Sequence, residues 1–402
     1  MKILIVDDSK QIRFILQRLL ERWGYEVIAA CNGMEAWQYI QRESINLIIS
    51  DWVMPQMDGL ELCRRLRADD FAHYVYIILL TSKDNKADLI EGMEAGADDF
   101  LIKPFHADEL RLRIRAGERI LRLESTLEER NQKLHEMYQH LEQAYSKIRK
   151  DLEAAATMQQ SLLPETAVTL CDVRFDWIFR PCTFVAGDIF NFFRLDEHHL
   201  GFYHLDVAGH GIPSALLSVT LSKVLNPDPN QGSPLKYFIP IPPHYEINNP
   251  IDVVRQLNNR FQSDSSCAIY FTMVYGVLDT RSRCLMLTQA GHPSPIHLGY
   301  QSAPALLGTG GFPVGMLPEV DYESVKLNLN HGDRLFLYSD GVTECMNESK
   351  EAFGDERLQG LLEMANNLPL HNTLSTLENA LSTWRGDTGF DDDISILALE
   401  IM

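Results

Sequence analysis

The chain has 402 residues, which predicts two or three domains at roughly 150 residues per domain. Hydrophobic residues make up 45% and charged residues 23%, a composition that excludes wholesale disorder and a membrane-embedded fold. The net charge of −20 opposes contact with nucleic acids and anionic lipids, and the amino terminus lacks a signal-peptide pattern, so we expect a cytoplasmic protein with neither a nucleic-acid nor a membrane partner.

Short apolar runs alternate with amphipathic helical patterns over residues 1–120. This alternation predicts repeated βα units and therefore an α/β doubly wound domain with five buried parallel strands. The carboxyl ends of such strands meet at one edge of the sheet, where ligands bind. The predicted strands are residues 2–6, 25–30, 47–50, 76–80 and 100–102.

Polar side chains follow four of these strands at the edge where the strands converge. Asp7 and Asp8 close the first strand, and Asp51 closes the third. Thr81 follows the fourth strand, and Lys103 follows the fifth. Three carboxylates repel one another unless a divalent cation lies among them, and Mg²⁺ prefers oxygen ligands. The spacing therefore predicts a magnesium site in which Asp51 can attack phosphorus while Lys103 offsets the phosphoryl charge.

A long helix is predicted after the first domain. Residues 118–163 contain neither Gly nor Pro, and apolar residues recur there every seven positions. A sustained seven-residue repeat is typical of a left-handed coiled coil, most simply a parallel homodimer; a long helix packed along its own domains stays open as the alternative. The repeat consists of Ile120, Leu127, Leu134, Leu141, Ile148, Ala155 and Leu162.

The pattern changes after Pro164, where alternating strands and turn residues are interrupted by helical segments. This pattern predicts an α+β domain of helix-covered sheets over residues 164–402, joined to the first domain by a helical coiled-coil linker over 121–163. The segment 226–250 contains seven prolines, so it can be neither a helix nor a central strand. We expect it to be a mobile surface loop.

A second group of aspartates is spread over the carboxy-terminal domain. Asp188, Asp206 and Asp340 each lie at a strand edge beside glycine or a turn, and three aspartates at 391–393 precede the last predicted strand. Each of them alone can be an ordinary turn residue. Several oxygen ligands without a nearby cysteine together predict Mg²⁺ or Mn²⁺. Two such ions would activate water and clamp a phosphate ester for hydrolysis.

Four motifs of the amino-terminal domain resemble the receiver domain of bacterial two-component response regulators: IVDDS at 5–9, DWVMP at 51–55, LTS at 80–82 and KPF at 103–105. The resemblance implies that a sensor histidine kinase phosphorylates Asp51. It implies that Thr81 and Lys103 contact the phosphoryl group and that Phe100 is the switch aromatic. It also implies a Mg²⁺ site whose ligands are Asp7, Asp8, Asp51 and the main-chain carbonyl of Val53.

From about Ala154 to the end, the chain resembles the PP2C-like serine/threonine phosphatases of the bacterial SpoIIE/RsbU type. The motifs are MQQSLLP at 158–164, FTMVYG at 271–276 and AGHP at 290–293. The resemblance implies two ions, Mn²⁺ or Mg²⁺, and a catalytic, metal-binding set made of Asp188, Asp206, Asp340, Asp392 and the main-chain carbonyl of Val207. One motif departs from the family, since residues 186–191 read AGDIFN and place Asn191 where a second carboxylate is usual.

Together these parts predict a response regulator whose aspartyl phosphorylation controls a metal-dependent protein phosphatase. The resemblance implies that the substrate is phosphoserine or phosphothreonine on a STAS-domain anti-sigma-factor antagonist. A noncatalytic phosphatase-like scaffold that binds such partners under receiver control is the alternative, and the retained carboxylates favour the enzyme. A DNA-binding response regulator fits poorly, because the chain has the wrong charge and no helix-turn-helix pattern.

Overall fold

The computed structural model describes residues 1–69, 73–82, 86–228, 232–262, 270–300 and 302–402. These residues form two compact units, Met1–Ala144 and Tyr145–Met402, and each unit has its own core. Within the described residues, no helix has both the length and the apolar character that crossing a bilayer requires.

The amino-terminal unit is the predicted α/β doubly wound domain, with five parallel strands in the order β2-β1-β3-β4-β5. The observed bounds differ from the predicted ones by one residue at most. The strands are β1 (Lys2–Val6), β2 (Glu26–Ala30), β3 (Leu47–Asp51), β4 (Tyr76–Thr81) and β5 (Asp99–Ile102). The helices are α1 (Lys10–Arg22), α2 (Gly33–Arg42), α3 (Gly59–Ala68), α4 (Lys86–Glu94) and α5 (Ala107–Gln160).

The order of the strands determines where a ligand can bind. The chain runs outward in one direction from β1 to β2 and in the other from β3 to β5, so a crevice opens between the carboxyl ends of β1 and β3. Apolar clusters cover both faces of the sheet. This two-sided burial explains why the strands are nearly continuous apolar runs rather than alternating ones.

Helix α5 begins earlier than the sequence pattern indicated. The predicted helical stretch began at residue 118, but α5 starts at Ala107 and passes through Gly117. Leu110 and Ile114 of its first turns are fully buried in the amino-terminal core. Glycine is accommodated inside the helix because a Cβ there would lie 2.6 Å from Cδ1 of Tyr76. Close packing, not helix termination, therefore explains Gly117.

The carboxy-terminal unit contains two antiparallel sheets, ordered β16-β13-β12-β9-β8 and β15-β14-β17-β18-β7-β6, and a separate β10-β11 pair. The strands are β6 (Val168–Leu170), β7 (Val173–Arg180), β8 (Ile189–Arg194), β9 (His199–Val207), β10 (Lys236–Phe238), β11 (Tyr245–Ile247), β12 (Phe271–Asp279), β13 (Cys284–Ala290), β14 (Ile296–Leu298), β15 (Ala305–Leu306), β16 (Ser324–Asn328), β17 (Arg334–Tyr338) and β18 (Ile394–Ile401). The helices are α6 (Ile212–Val224), α7 (Pro250–Arg260), α8 (Asp340–Thr343), α9 (Gly354–Met364) and α10 (Leu370–Arg385).

Three apolar clusters hold the two sheets and their helices together. Phe202 of β9 and Leu337 of β17 share the cluster between the sheets. Successive side chains of a strand point to opposite faces, so Tyr203 lies in a second cluster with Leu221 of α6. Phe336 lies in a third cluster, which includes side chains of α9 and α10. The unit is therefore the predicted α+β domain of helix-covered sheets, a sandwich with helices on both outer faces.

The proline-rich segment 226–250 is more ordered than the sequence indicated. It contains the β10-β11 pair, apart from the two main sheets, and its last residue, Pro250, begins α7 after the N-cap Asn249. Residues 229–231 lie outside the described part of the chain. The described residues from Asn226 to Asn249 form neither a helix nor a central strand, as the prolines predicted. The expectation of a loop was wrong for β10 and β11, because prolines 240, 242 and 243 fall in the connection between them, where no ladder donor is needed.

Gly117 provides a test of the packing of α5. Alanine usually stabilises a helix interior relative to glycine by roughly 0.5–1 kcal/mol. At position 117 the added methyl group would overlap the Tyr76 ring, so we expect Gly117→Ala to lower the local unfolding free energy by about 1–3 kcal/mol. Hydrogen exchange of core amides in the full chain measures this change.

The matched control is Gly360→Ala in α9, where an added Cβ has no atom within 4 Å. We expect this control to protect amides of the carboxy-terminal unit slightly. Equal stabilisation by the two substitutions would show that α5 does not pack on Tyr76 as described.

Candidate functional site

The amino-terminal unit brings three predicted metal ligands together. Asp7 and Asp8 follow β1, Asp51 ends β3, and each offers a carboxylate oxygen within 4.8 Å of the other two. Asp7 is fully buried, Asp51 is partly buried and Asp8 is exposed. Three oxygen donors at the mouth of a crevice, one of them open to water, fit a hydrated Mg²⁺ ion.

A lysine bridges two of these carboxylates. Lys103 Nζ lies 2.8 Å from Asp7 Oδ2 and 2.9 Å from Asp51 Oδ2. Burial would lower the pKa of Lys103, but the hydrogen bonds to the two aspartates outweigh burial and raise it. Burial also raises the pKa of Asp51, despite the opposing effect of Lys103. The lysine is therefore charged and lies where it can offset negative charge on Asp51.

The other predicted receiver residues lie on β4 and β5 and just beyond β3. Thr81 is buried at the end of β4, and Phe100 is half-buried on β5 against the core. Val53 lies two residues beyond β3 with an exposed side chain. The bond between Lys103 and Pro104 is cis.

The carboxy-terminal unit brings a second set of aspartates together from both sheets. Asp188 precedes β8 and Asp206 lies on β9 in one sheet, whereas Asp340 follows β17 and Asp392 precedes β18 in the other. Burial, reinforced by the charges of Asp206 and Asp393, raises the pKa of Asp188 well above its ordinary value.

Asp206 and Asp340 also have raised pKa values, because burial and neighbouring carboxylates disfavour their charged forms. Burial and the charge of Asp340 raise the pKa of Asp206 to about 7. Burial and the charge of Asp392 raise the pKa of Asp340 to about 6. A divalent cation among these carboxylates would relieve the repulsion between their ionised forms. The donors present therefore fit Mg²⁺ or Mn²⁺.

Two glycines allow the segments of this site to approach one another. A Cβ on Gly187 would lie 2.9 Å from the carbonyl oxygen of Val207, the predicted main-chain ligand. A Cβ on Gly341 would lie 2.2 Å from the carbonyl oxygen of Asp393 and 3.3 Å from Cβ of Asp392. The glycines beside Asp188 and Asp340 are therefore required for close approach of the backbone.

Sequence reasoning missed two side chains that hold the backbone before Asp188. The Gln159 amide donates to the Ala186 carbonyl at 2.7 Å and accepts from the Ala186 N–H at 2.9 Å. Asp393 accepts from the N–H groups of Cys182 and Gly187, both at 2.8 Å. Both side chains are buried. The MQQSLLP motif and the run of three aspartates contain these residues, but neither pattern indicates which side chain points inward.

A cysteine lies beside the site, contrary to the sequence interpretation. Cys182, Asp392 and Asp393 offer ligand atoms within 4.8 Å of one another. Burial, with the charge of Asp393, raises the pKa of the Cys182 thiol to about 12. Because a thiol binds metals as the thiolate, the carboxylates remain the better donors near neutral pH.

Asn191 does not face the carboxylates. The ring of Phe190 stacks on that of His204 in the space between the sheets, at a centroid distance of 5.8 Å. Side chains alternate along a strand, so Asn191 lies on the opposite face of β8, across from Tyr203. Asp206, two residues after His204, shares the inner face. The amide therefore does not replace a member of the inward-facing carboxylate set.

Comparison with known protein families divides the chain in the same way. The family described as "Stage II sporulation protein E (SpoIIE)" matches residues 196–402. The family described as "Response regulator receiver domain" matches residues 3–115.

Individual relatives match the amino-terminal unit. The alkaline phosphatase synthesis transcriptional regulatory protein PhoP of Bacillus subtilis is 43% identical over 115 residues. The probable transcriptional regulator ycf27 of Porphyridium aerugineum is 44% identical over 115 residues. Each match covers 29% of this chain and 47% of the relative, so the chain spans about half the length of these relatives.

A solved structure matches the carboxy-terminal unit. The SiaA-PP2C domain of Pseudomonas aeruginosa superposes with a TM-score of 0.55 at 21% sequence identity. The match covers 64% of this chain and 99% of that structure. This likeness shows that the two share a fold.

The raised pKa values predict that metal binding by the carboxy-terminal unit depends on pH. Asp206 and Asp340, with pKa values of about 7 and about 6, must lose their protons before they can ligate a cation. We therefore expect Mn²⁺ to raise the melting temperature more at pH 8 than at pH 6. Differential scanning fluorimetry of the full chain measures the shift.

Without metal the pH dependence has the opposite sign. Both carboxylates have folded-state pKa values above their unfolded values, so their stabilising contribution is complete below about pH 4 and is lost as pH rises from there through about 6 to 7. The metal-free melting temperature should fall over this range, and the double variant Asp206→Asn, Asp340→Asn should remove that fall. An equal Mn²⁺ effect at pH 6 and pH 8 would contradict the assignment.

Proposed function

Because the chain belongs to the Stage II sporulation protein E family and also carries a response-regulator receiver domain, we propose that it is a protein phosphatase controlled by aspartyl phosphorylation. The observation that carries the proposal is the set of mutually repelling aspartates in the carboxy-terminal unit, of which Asp188 is buried and Asp206 and Asp340 are partly buried. This arrangement costs free energy without a cation and suits metal-dependent hydrolysis.

We propose that Asp51 accepts a phosphoryl group from a sensor histidine kinase. Asp51 lies at the mouth of the crevice, where its carboxylate can attack phosphorus, and Lys103 lies close enough to offset charge on the phosphoryl oxygens. Thr81 would contact the same oxygens, and Phe100 would change its packing in response. Mg²⁺, bound by Asp7, Asp8, Asp51 and the Val53 carbonyl, would supply further positive charge.

We propose that the carboxy-terminal unit hydrolyses phosphoserine or phosphothreonine. Two Mn²⁺ or Mg²⁺ ions, when bound, would supply Lewis acidity toward water and the phosphate ester. The proposed ligands are Asp188, Asp206, Asp340, Asp392 and the Val207 carbonyl. The chain's own contribution is to hold these oxygens in place before the ions bind, through the close approach at Gly187 and Gly341. The family supports a phosphorylated STAS-domain anti-sigma-factor antagonist as the substrate.

A noncatalytic scaffold is the alternative. A scaffold needs only a binding surface, and an amide or apolar residue at each aspartate position would remove the repulsion and stabilise the fold. The retention of Asp188, Asp206 and Asp340 in buried or partly buried, mutually repelling positions therefore favours the enzyme.

We propose that α5 mediates a parallel homodimer. Leu127, Leu134 and Leu141 occupy the predicted seam and are 53%, 66% and 67% exposed in the single chain. A second copy of the helix would bury them in the geometry of a left-handed coiled coil. The exposure of these side chains favours the dimer over a helix packed along its own domains.

Gln159 offers a direct connection between α5 and the phosphatase site. It lies in the last turn of α5, and its amide makes two hydrogen bonds to Ala186, two residues before Asp188. A small rotation or shift of α5 would therefore move the backbone that carries Asp188. Packed helical seams suit this role because they favour discrete arrangements.

Removal of one proposed ligand tests the enzymatic assignment. We expect Asp340→Ala to reduce Mn²⁺-dependent hydrolysis of p-nitrophenyl phosphate on the order of 10³-fold or more, because the site loses a metal ligand. Asp391→Ala is a matched control, since Asp391 is exposed and forms an ion pair with Arg385. The control should keep most of the activity.

Two outcomes would reject parts of this proposal. Wild-type turnover by Asp340→Ala would show that the metal site lies elsewhere. A wild-type chain that hydrolyses neither p-nitrophenyl phosphate nor a phosphoserine peptide in Mn²⁺ would support the scaffold.

Disruption of the seam tests the proposed coupling. Proline at Leu141 removes a helix hydrogen bond and clashes with the preceding turn, at a cost of about 3 kcal/mol or more. We expect Leu141→Pro to keep Mn²⁺-dependent hydrolysis, to lose its response to acetyl phosphate and to sediment as a monomer.

Two controls define the response. Asp51→Asn should accept no phosphoryl group, so its hydrolysis rate gives the activity without a response to acetyl phosphate. Glu142→Ala, at an exposed neighbouring position outside the seam repeat, should respond like the wild type. Undiminished regulation in a monomeric Leu141→Pro protein would show that α5 is only a tether.

A further inference from the structure

Two buried polar side chains lie behind Asp188 and take no part in the proposed ligand set. Ser395 of β18 donates a hydrogen bond from its hydroxyl to Asp188 Oδ2. The Ser395 hydroxyl also lies 3.0 Å from Nε2 of His204 on β9. Ser395 and His204 are fully buried.

The direction of this chain of hydrogen bonds follows from counting protons. Asp188 must be ionised to ligate a metal, so it can only accept. Ser395 has a single hydroxyl proton, which goes to Asp188. The contact between His204 and Ser395 therefore requires a proton on His204 Nε2. The hydrogen bonds are therefore donated from His204 to Ser395 and from Ser395 to Asp188.

Two hydrogen bonds to Ser339 hold Ser395 in place. Its N–H donates to the Ser339 hydroxyl at 3.0 Å, and its carbonyl accepts from the Ser339 N–H at 3.0 Å. Ser339 directly precedes Asp340 in the sequence. The serine that orients Asp188 is thus fixed to the residue beside a second proposed ligand.

A buried histidine at position 204 costs free energy, because one of its ring nitrogens is left without a hydrogen bond to any described residue. It lies between the two sheets, its ring stacks on Phe190, and its Nδ1 atom has no hydrogen-bond partner among the described residues. An apolar residue would fill this place without leaving a buried polar atom unpaired. Packing alone therefore does not account for the histidine, whereas its Nε2 contact does.

We propose that His204, acting through Ser395, is a positioning residue that orients the Asp188 carboxylate for metal binding. The proposal rests on the function proposed above. The hydrogen bond from Ser395 to Oδ2 restricts the direction in which the Asp188 carboxylate faces. Hydrogen bonds of this kind to metal ligands restrict the orientation of the ligand, and their loss typically weakens metal affinity or activity by about 10- to 100-fold.

The test measures Mn²⁺ binding to the full chain by calorimetry, together with the Mn²⁺ dependence of p-nitrophenyl phosphate hydrolysis. His204→Phe keeps a ring beside Phe190 but removes the donor, and Ser395→Ala removes the connection to Asp188. We expect each variant to raise the Mn²⁺ dissociation constant by about 10- to 100-fold. Turnover at saturating Mn²⁺ should change much less than the Mn²⁺ concentration needed to reach it.

Three further variants separate positioning from general damage to the core. Ser395→Thr keeps the hydroxyl and should retain most of the Mn²⁺ affinity. The double variant His204→Phe, Ser395→Ala should be no weaker than Ser395→Ala, because His204 acts through Ser395. His292→Phe removes the histidine whose ring lies 4.8 Å from that of His204 but whose described hydrogen bonds do not include Asp188. It should leave the Mn²⁺ dissociation constant unchanged.

The outcomes distinguish this inference from the function on which it rests. Wild-type Mn²⁺ affinity in folded Ser395→Ala would overturn the positioning role while leaving the phosphatase intact. A loss of affinity in His292→Phe equal to that in His204→Phe would also overturn it, because core damage would then explain both. A wild-type chain that binds no Mn²⁺ would overturn the metal site and the inference together.

Discussion

Burial and the charges of neighbouring aspartates raise the pKa values of Asp188, Asp206 and Asp340, and those of Asp206 and Asp340 reach about 7 and about 6. Asp392 is exposed, and its charge acts on both Asp206 and Asp340. The surrounding structure must hold these carboxylates together against their repulsion. Two strands of one sheet and two of the other meet here, and glycines permit the approach. The sheet sandwich is therefore the frame that keeps oxygen donors ready for a cation.

Three side chains restrain the consecutive residues 186–188, two of them through the backbone and one through the Asp188 carboxylate. Gln159 of α5 binds Ala186, Asp393 binds the Gly187 N–H, and Ser395 binds the Asp188 carboxylate. Such restraints position a ligand more firmly than a free turn does. One of the three restraints comes from the last turn of α5, so a shift of that helix would move the backbone before Asp188.

In the amino-terminal unit, a side chain of the protein itself reduces the repulsion between the carboxylates. Lys103 places a permanent positive charge between Asp7 and Asp51, so part of the repulsion is neutralised within the chain. The remaining carboxylate, Asp8, is open to water. This balance fits the proposed role of Asp51 as an acceptor, whereas the second site, under the proposed function, would rely on bound cations for its neutralisation.

The sequence alone was enough to predict the two fold classes, the five parallel strands and the aspartates that lie at the two candidate sites. These features follow from local rules: strand and helix periodicity, and carboxylates at strand ends. It did not determine that α5 begins at Ala107, that Asn191 faces away from the carboxylates, or that Cys182 lies beside them. His204 gave no signal in the sequence, because a histidine in an apolar strand resembles any other buried residue. Only the packing of β9 against β18 across the sandwich brings it to Ser395, and contacts between residues 191 positions apart have no periodicity to reveal them.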